Sequence, residues 1–177
     1  QKEFQPKWKW SLFNFGFICG YQNILIFLFT MPIMIALQNN DNPFGTLDLI
    51  FALLMFFFIL YETIADIQQF RFQSSKYALL NNGIPLDEKH SKGFLDRGLW
   101  KYSRHPNYFA EQAIWISFYG FSIAASGQLL NWSITGCFLL IALFLGSSNF
   151  SESISSSKYE EYKNYQKRVS RFVPLLK

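Results

Sequence analysis

Lysine and arginine are absent from two long stretches of this chain, between Trp10 and Phe70 and between His105 and Ser157. In those same stretches the apolar residues gather into runs. Four runs have the length of a membrane span, lying within Leu12–Leu37, from about Thr46 to Ile64, over Tyr108–Ala125 and over Leu129–Gly146. Spanning takes about 20 residues at roughly 1.5 Å rise each, so the last two are only just long enough. All 16 basic residues fall in the N-terminal tail, the Arg71–Arg104 loop or the tail from Lys158 onward. With four spans these three segments share one side of the bilayer, which the positive-inside rule makes cytoplasmic. The expected fold is therefore all-α: a multispan transmembrane helical bundle of about four spans. Both termini and the 71–104 loop are expected in the cytoplasm. The formal net charge of +4 then reports topology, and nucleic acid is not an expected partner. A basic soluble domain would not keep its cations out of alternate segments.

The tail after Gly146 turns amphipathic, with Ile154, Tyr159, Tyr162, Tyr165, Val169 and Phe172 near one face and charges around the rest. It is too short and too charged to span, so it is expected as an amphipathic helix on the cytoplasmic surface or folded back over the mouth of the bundle. Lys7, Trp8, Lys9 and Trp10 read as an interface anchor. Cys19 and Cys137 fall inside expected spans as buried packing thiols without metal-ligand spacing, and no metal site is expected. His90, within Asp87-Glu-Lys-His-Ser-Lys92, reads as a solvated loop residue. Asn131-Trp-Ser133 matches a glycosylation sequon, yet begins almost at the membrane, where access is poor. The chain opens on Gln1 with no apolar leader. One membrane domain is expected over 1–177, with earlier spans missing.

Chemistry has to come from polar groups at the cytoplasmic mouth, since no phosphate loop, metal cluster or supported hydrolytic triad is present. Arg104, His105, Asn107, Tyr108 and Glu111 crowd into eight residues where a basic loop enters an apolar run. Pro106 suits the first turn of a helix, which puts Asn107 and Glu111 on one face at i, i+4. A cation before a helix N-terminus with an acid inside it can hold a charged ligand. The same residues can also anchor a helix at the interface, and chemistry alone leaves both readings open. Glu62, Asp66 and Gln69 form a polar stripe on an otherwise apolar helix, expected to face a shared cavity. Arg71, Arg97 and Arg104 are the candidate partners of its acids. Tyr21, Gln22 and Asn23, polar in midspan, are expected to bond another helix or to line a cavity.

Gly98-Leu-Trp-Lys-Tyr-Ser-Arg-His-Pro-Asn-Tyr-Phe-Ala-Glu111, with Glu62-x-x-x-Asp66-x-Gln68 before it and Tyr159-x-x-Tyr162-x-x-Tyr-Gln-Lys-Arg168 and Phe-Val-Pro174 after it, resembles the DUF1295 family. That family belongs to the steroid 5-alpha-reductase C-terminal-like superfamily, related to sterol reductases and isoprenylcysteine carboxyl methyltransferases. The resemblance runs from the first span to the last residue. It implies a multispan bundle binding a nucleotide-derived cofactor in a cavity that opens to the cytoplasm. Asn107 followed by Glu111 is closer to the reductase pattern. The implied activity is reduction by NADPH of a carbon–carbon double bond in a steroid- or lipid-like enone, a hydrophobic small molecule. Asp66, Asn107 and Glu111 would orient the cofactor, Arg104 and Arg97 would meet its phosphates, and Tyr102, His105 and Tyr108 belong to the same segment. Arg71 lies near a cofactor-binding arginine of the superfamily without being in register. Ala110 stands where the family usually has Gly. No catalytic residue is assigned, because the groups that polarise the substrate in the reductases come from earlier spans. The alternatives are a methyltransferase using S-adenosylmethionine on a lipid-linked acceptor, with Glu111 and Glu152 facing the cofactor, and a non-catalytic membrane scaffold.

Overall fold

The computed structural model describes residues 7–39 and 41–176, so the first six residues of the N-terminal tail lie outside the described residues. Among the described residues the chain is helical without strands, apart from an isolated bridge between Ser103 and Ser170. The first rod consists of α1 (Lys7–Phe13), a π-helical segment (Asn14–Tyr21), α2 (Gln22–Thr30) and α3 (Pro32–Gln38). Pro32 opens α3 at its first position, where its missing N–H and fixed φ cost least. Then come α4 (Thr46–Asn81), α5 (Pro106–Ser126), α6 (Thr135–Lys158) and α7 (Tyr162–Arg168). Asp48, a charge at the start of an apolar helix, accepts the Gly45 N–H at 2.9 Å and so caps α4.

Among the described residues three helices are long and apolar enough to cross a membrane: the rod Trp8–Gln38, α4, and the stretch Trp132–Lys158 containing α6. The remaining expected span is helical as α5, 21 residues long, but Asn107, Glu111 and Gln112 in its first turns make it more polar. α5 packs along α4 and touches α3 and α6, while α2 packs on α6. Leu25, Leu140 and Phe144 form the α2–α6 core, with Tyr21, Tyr108 and Trp115 against it. Gly136 sets the closest approach, since a Cβ there would lie 2.5 Å from the Phe29 Cα. Asn42 donates to the Ala125 carbonyl at 2.7 Å, joining the loop before α4 to the end of α5. Neighbouring helices therefore alternate in direction, and the 82–105 loop and the tail meet at one end, called the basic end below.

Several expectations change. Cys19 is exposed, whereas Cys137 is buried. Asn23 is satisfied inside its own helix by the Cys19 carbonyl, and Gln22 is exposed, so neither ties a second helix. His90 is buried: its Nδ1 donates to Asp87 Oδ1 at 2.5 Å, its Nε2 shares a hydrogen bond with Ser75 Oγ at 2.7 Å, and its ring lies against that of Phe72. This serine–histidine–aspartate row pins the loop to α4. The sequon residue Asn131 caps the following turn, accepting from Ser133 N and Oγ. The tail helix is shorter than expected, because α6 runs on to Lys158 before the chain turns back.

Candidate functional site

Toward the basic end α4 is longer than a membrane span requires. Its 36 residues extend about 54 Å at 1.5 Å each, well beyond a hydrocarbon core of roughly 30 Å. The stretch past Ile64 thus offers Asp66, Gln68, Gln69 and Gln73 to the loop and tail. Gln68 Oε1 accepts the Leu99 N–H at 3.0 Å, and Trp100 Nε1 donates to the Ala65 carbonyl at 3.1 Å. Gly98 makes that contact possible. Its φ is +60°, and a Cβ would fall 2.4 Å from the Gln68 amide oxygen. This places the Gly98–Lys101 turn flat on α4 and delivers Arg104 and His105 to the head of α5.

Arg104 is the hub that holds the tail in place. Its Nε and one Nη donate to Glu152 at 2.7 and 3.3 Å, and its other Nη reaches the Gln166 and Val169 carbonyls at 2.9 and 2.5 Å. Glu152 also meets His105 Nε2 at 3.0 Å and Gln166 Nε2 at 2.7 Å. The backbone completes the strap, with Arg104 N donating to the Ser170 carbonyl and His105 N to the Arg171 carbonyl. Tyr165 donates its hydroxyl to the Trp100 carbonyl. The tail is thus folded back over the mouth, the second of its two expected placements.

Between strap and helices lies a cavity of about 360 Å³. Gln69 and Gln73 of α4, Asn107 and Tyr108 of α5, Lys158 of α6 and Tyr159 of the tail face it, along with Arg104 and His105. Among the described residues its wall holds the cations Arg104 and Lys158 and no Asp or Glu. Phe94, Trp100, Tyr162 and Tyr165 add aromatic surface, and His105 stacks on Tyr108 with an interplanar angle of 10°. Behind the wall, buried Lys76 donates to the Gly93 carbonyl at 2.8 Å and lies over the Phe72, Tyr77 and Tyr159 rings.

The expected site residues divide accordingly. Arg104, His105, Asn107 and Tyr108 share the cavity wall. Asp66 joins them by accepting from Asn107 Nδ2 at 3.1 Å. The stripe acid is thus answered by an amide and not by Arg71, Arg97 or Arg104. Glu111 lies within electrostatic reach of Asp66 and Glu62, off the cavity wall. Arg71, Arg97 and Tyr102 are exposed and do not line the cavity. Glu152 is spent on Arg104, His105 and Gln166. Sequence reasoning missed Gln73 and Lys158 as cavity residues. The signal for the tail wall was the tyrosine spacing at 159, 162 and 165.

The family model described as "Protein of unknown function (DUF1295)" matches residues 2–169. The chain belongs to the DUF1295 family. An uncharacterised protein of Schizosaccharomyces pombe (strain 972) is 38% identical over 183 residues, covering 99% of this chain and 53% of its own length. The chain thus spans about half the length of that curated relative. No solved structure is significantly similar to it. Membership in DUF1295 unites the Gly98–Glu111 segment, the α4 stripe and the tail as one unit of the family, and those are the elements that enclose the cavity.

Proposed function

We propose that this DUF1295 protein is an integral membrane reductase that uses NADPH to reduce a carbon–carbon double bond in a steroid- or lipid-like enone. The observation that carries the reading is the cavity wall, where the charged donors are Lys158 and the one Nη–H of Arg104 not taken by Glu152 and the tail carbonyls, and where no carboxylate among the described residues lines the space. Such a wall favours an anionic, phosphate-bearing ligand. Its size is at the small end of ligand pockets, roughly 300–1,000 Å³, and suits one end of a dinucleotide. The residues fit that group in a second respect: Asn107 Oδ1 is buried with no hydrogen-bond partner and is free to accept from a ligand. When bound, NADPH supplies a hydride. The chain's part is to hold and orient it. Lys158 and the remaining Nη–H of Arg104 meet phosphate charge, Asp66 fixes the Asn107 amide, and His105 supports the Tyr108 ring as a wall. The apolar exterior of α4, with Leu53, Phe56, Phe57 and Leu60 exposed, lies toward lipid, from which a hydrophobic substrate would arrive. The basic end faces the cytoplasm in this reading, as charge placement requires.

One observation favours a methyltransferase instead. The cavity is rich in aromatic rings, which attract a sulfonium cation. Of the two acids that reading needs, Glu152 is already bound to Arg104 and Glu111 lies off the cavity wall. The test is a parallel titration of NADPH and S-adenosylmethionine into full-length protein purified in detergent. Saturable NADPH binding, weakened about tenfold or more in Asn107→Ala, is the expected result. Binding of S-adenosylmethionine alone would move the protein to the methyltransferase branch. Binding of neither would leave the polar stripes as helix-packing apparatus.

A further inference from the structure

A second concavity lies where the end of the Gly98–Lys101 turn meets the tail. Lys101, Tyr102, Arg168, Val169, Ser170 and Leu175 line about 140 Å³ there, and none of them lines the larger cavity. Leu175 N donates to the Tyr102 carbonyl at 3.3 Å, and Ser170 Oγ donates to the same carbonyl at 2.8 Å. Lys101 and Arg168 are exposed, and neither is in an ion pair among the described residues. No Asp or Glu among the described residues lines this groove. Leu175 is the one non-glycine residue with a positive φ among the described residues, at +66°. L side chains rarely adopt that conformation, and it persists only where the surroundings enforce it. Here it gains no burial, since Leu175 is 79% exposed and the next residue, Leu176, 68%. Phe172, three residues earlier, packs on the α2–α6 core of Leu25, Leu140 and Phe144. Those three residues belong to two of the helices apolar enough to cross a membrane. Val173, Leu175 and Leu176 therefore leave the protein at the rim of the apolar bundle, where the basic end meets the headgroups.

We propose that this groove binds an anionic phospholipid, with Lys101 and Arg168 meeting the headgroup phosphate and Leu175 and Leu176 lying against its acyl chains. Arginine offers phosphate oxygens a fork of donors and lysine a point charge. Exposed leucines beside two cations match a molecule with an anionic head and apolar chains. A soluble phosphate would use the cations and leave the leucines in water. Basic pockets on the cytoplasmic side of a membrane protein hold anionic headgroups, and charge placement puts this end on that side. Tyr102, exposed and absent from the larger cavity, has a place here, its ring 5.8 Å from Lys101 Nζ. The groove shares no lining residue with the larger cavity, so the proposal does not depend on the dinucleotide reading.

The experiment is native mass spectrometry of full-length protein in detergent, titrated separately with dioleoylphosphatidylglycerol and dioleoylphosphatidylcholine. Phosphatidylglycerol is expected to bind saturably and roughly tenfold or more tightly than phosphatidylcholine. Lys101→Gln combined with Arg168→Gln is expected to bring the two lipids to within about threefold. Lys89→Gln combined with Lys163→Gln removes two exposed cations outside the groove and is expected to leave the ratio unchanged. Leu175→Gly relieves the positive φ and removes the apolar side chain. It is expected to weaken phosphatidylglycerol about threefold or more without lowering the thermal midpoint measured in the absence of lipid. Equal losses in the two double variants would overturn the groove in favour of diffuse attraction to the basic end. Glycerophosphoglycerol, the same head without chains, is expected to compete poorly. Competition as strong as that of the intact lipid would overturn the lipid assignment and leave a plain phosphate site. If the two lipids bound the parent protein alike, the proposal would fall.

Discussion

Glu152 is only 4% exposed, yet it meets three polar side chains from the α5 entry and the tail. Removing one partner of a buried ion pair leaves the other charge unanswered, and costs more than the pair itself contributes. Glu152→Gln is therefore expected to destabilise by about 3 kcal/mol or more, read as a lower thermal midpoint in detergent. It should also speed proteolysis beyond Lys158. An unchanged midpoint would show that the strap is held by backbone bonds alone. Tyr162 gives a second residue-level test. Its burial pushes the phenol up to about 12, and burial raises Tyr165 as well. An unfolded tyrosine ionises near 10 or so, so the folded chain keeps protons that the unfolded chain loses. Stability contributed by Tyr162 is present below about pH 10 and is lost as pH rises toward about 12. Phenolate absorbance should show a late step that disappears in Tyr162→Phe.

At the scale of elements, two glycines of α6 should behave oppositely. Gly136 meets the α2 backbone, which cannot yield as a side-chain tip would, so Gly136→Ala is expected to destabilise by about 1–3 kcal/mol. At Gly146 nothing lies within 4 Å of the position a Cβ would take, and Gly146→Ala should be neutral or stabilising by up to about 1 kcal/mol through helix propensity. Equal effects at the two sites would argue against close α2–α6 packing. The length of α4 was only half legible. The apolar run ended near Ile64, but the helix continues to Asn81 because the loop and tail cover its polar side. His90 shows the same effect. Its charged neighbours suggested a solvated loop, while the contact with Phe72 and Ser75 needed the loop to return to α4.

For the whole molecule, the decisive test is topology. Single cysteines introduced at Asn82 and at Gln128, in a background lacking Cys19 and Cys137, should react with a membrane-impermeant thiol reagent from opposite sides. Labelling from the same side would overturn the alternating bundle. The segregation of cations made this arrangement readable, since no folding solution brings lysines across lipid at low cost.

The sequence by itself determined the apolar helices, their alternation and the gathering of the basic segments, because hydrophobic run length and charge placement act locally and do not depend on partners. It also put Asn107 in a motif and Asp66 on a polar helical face, and the fold joins the two by a hydrogen bond. Only the tertiary structure decided which polar groups are consumed and which remain. Arg104, the most conspicuous cation, is occupied by Glu152 and two carbonyls, and Gln68 is taken by Leu99, whereas the adjacent Gln69 is left with a buried free acceptor. Hydrogen-bond saturation is a property of the packed chain, so no spacing rule along the sequence could have told those residues apart.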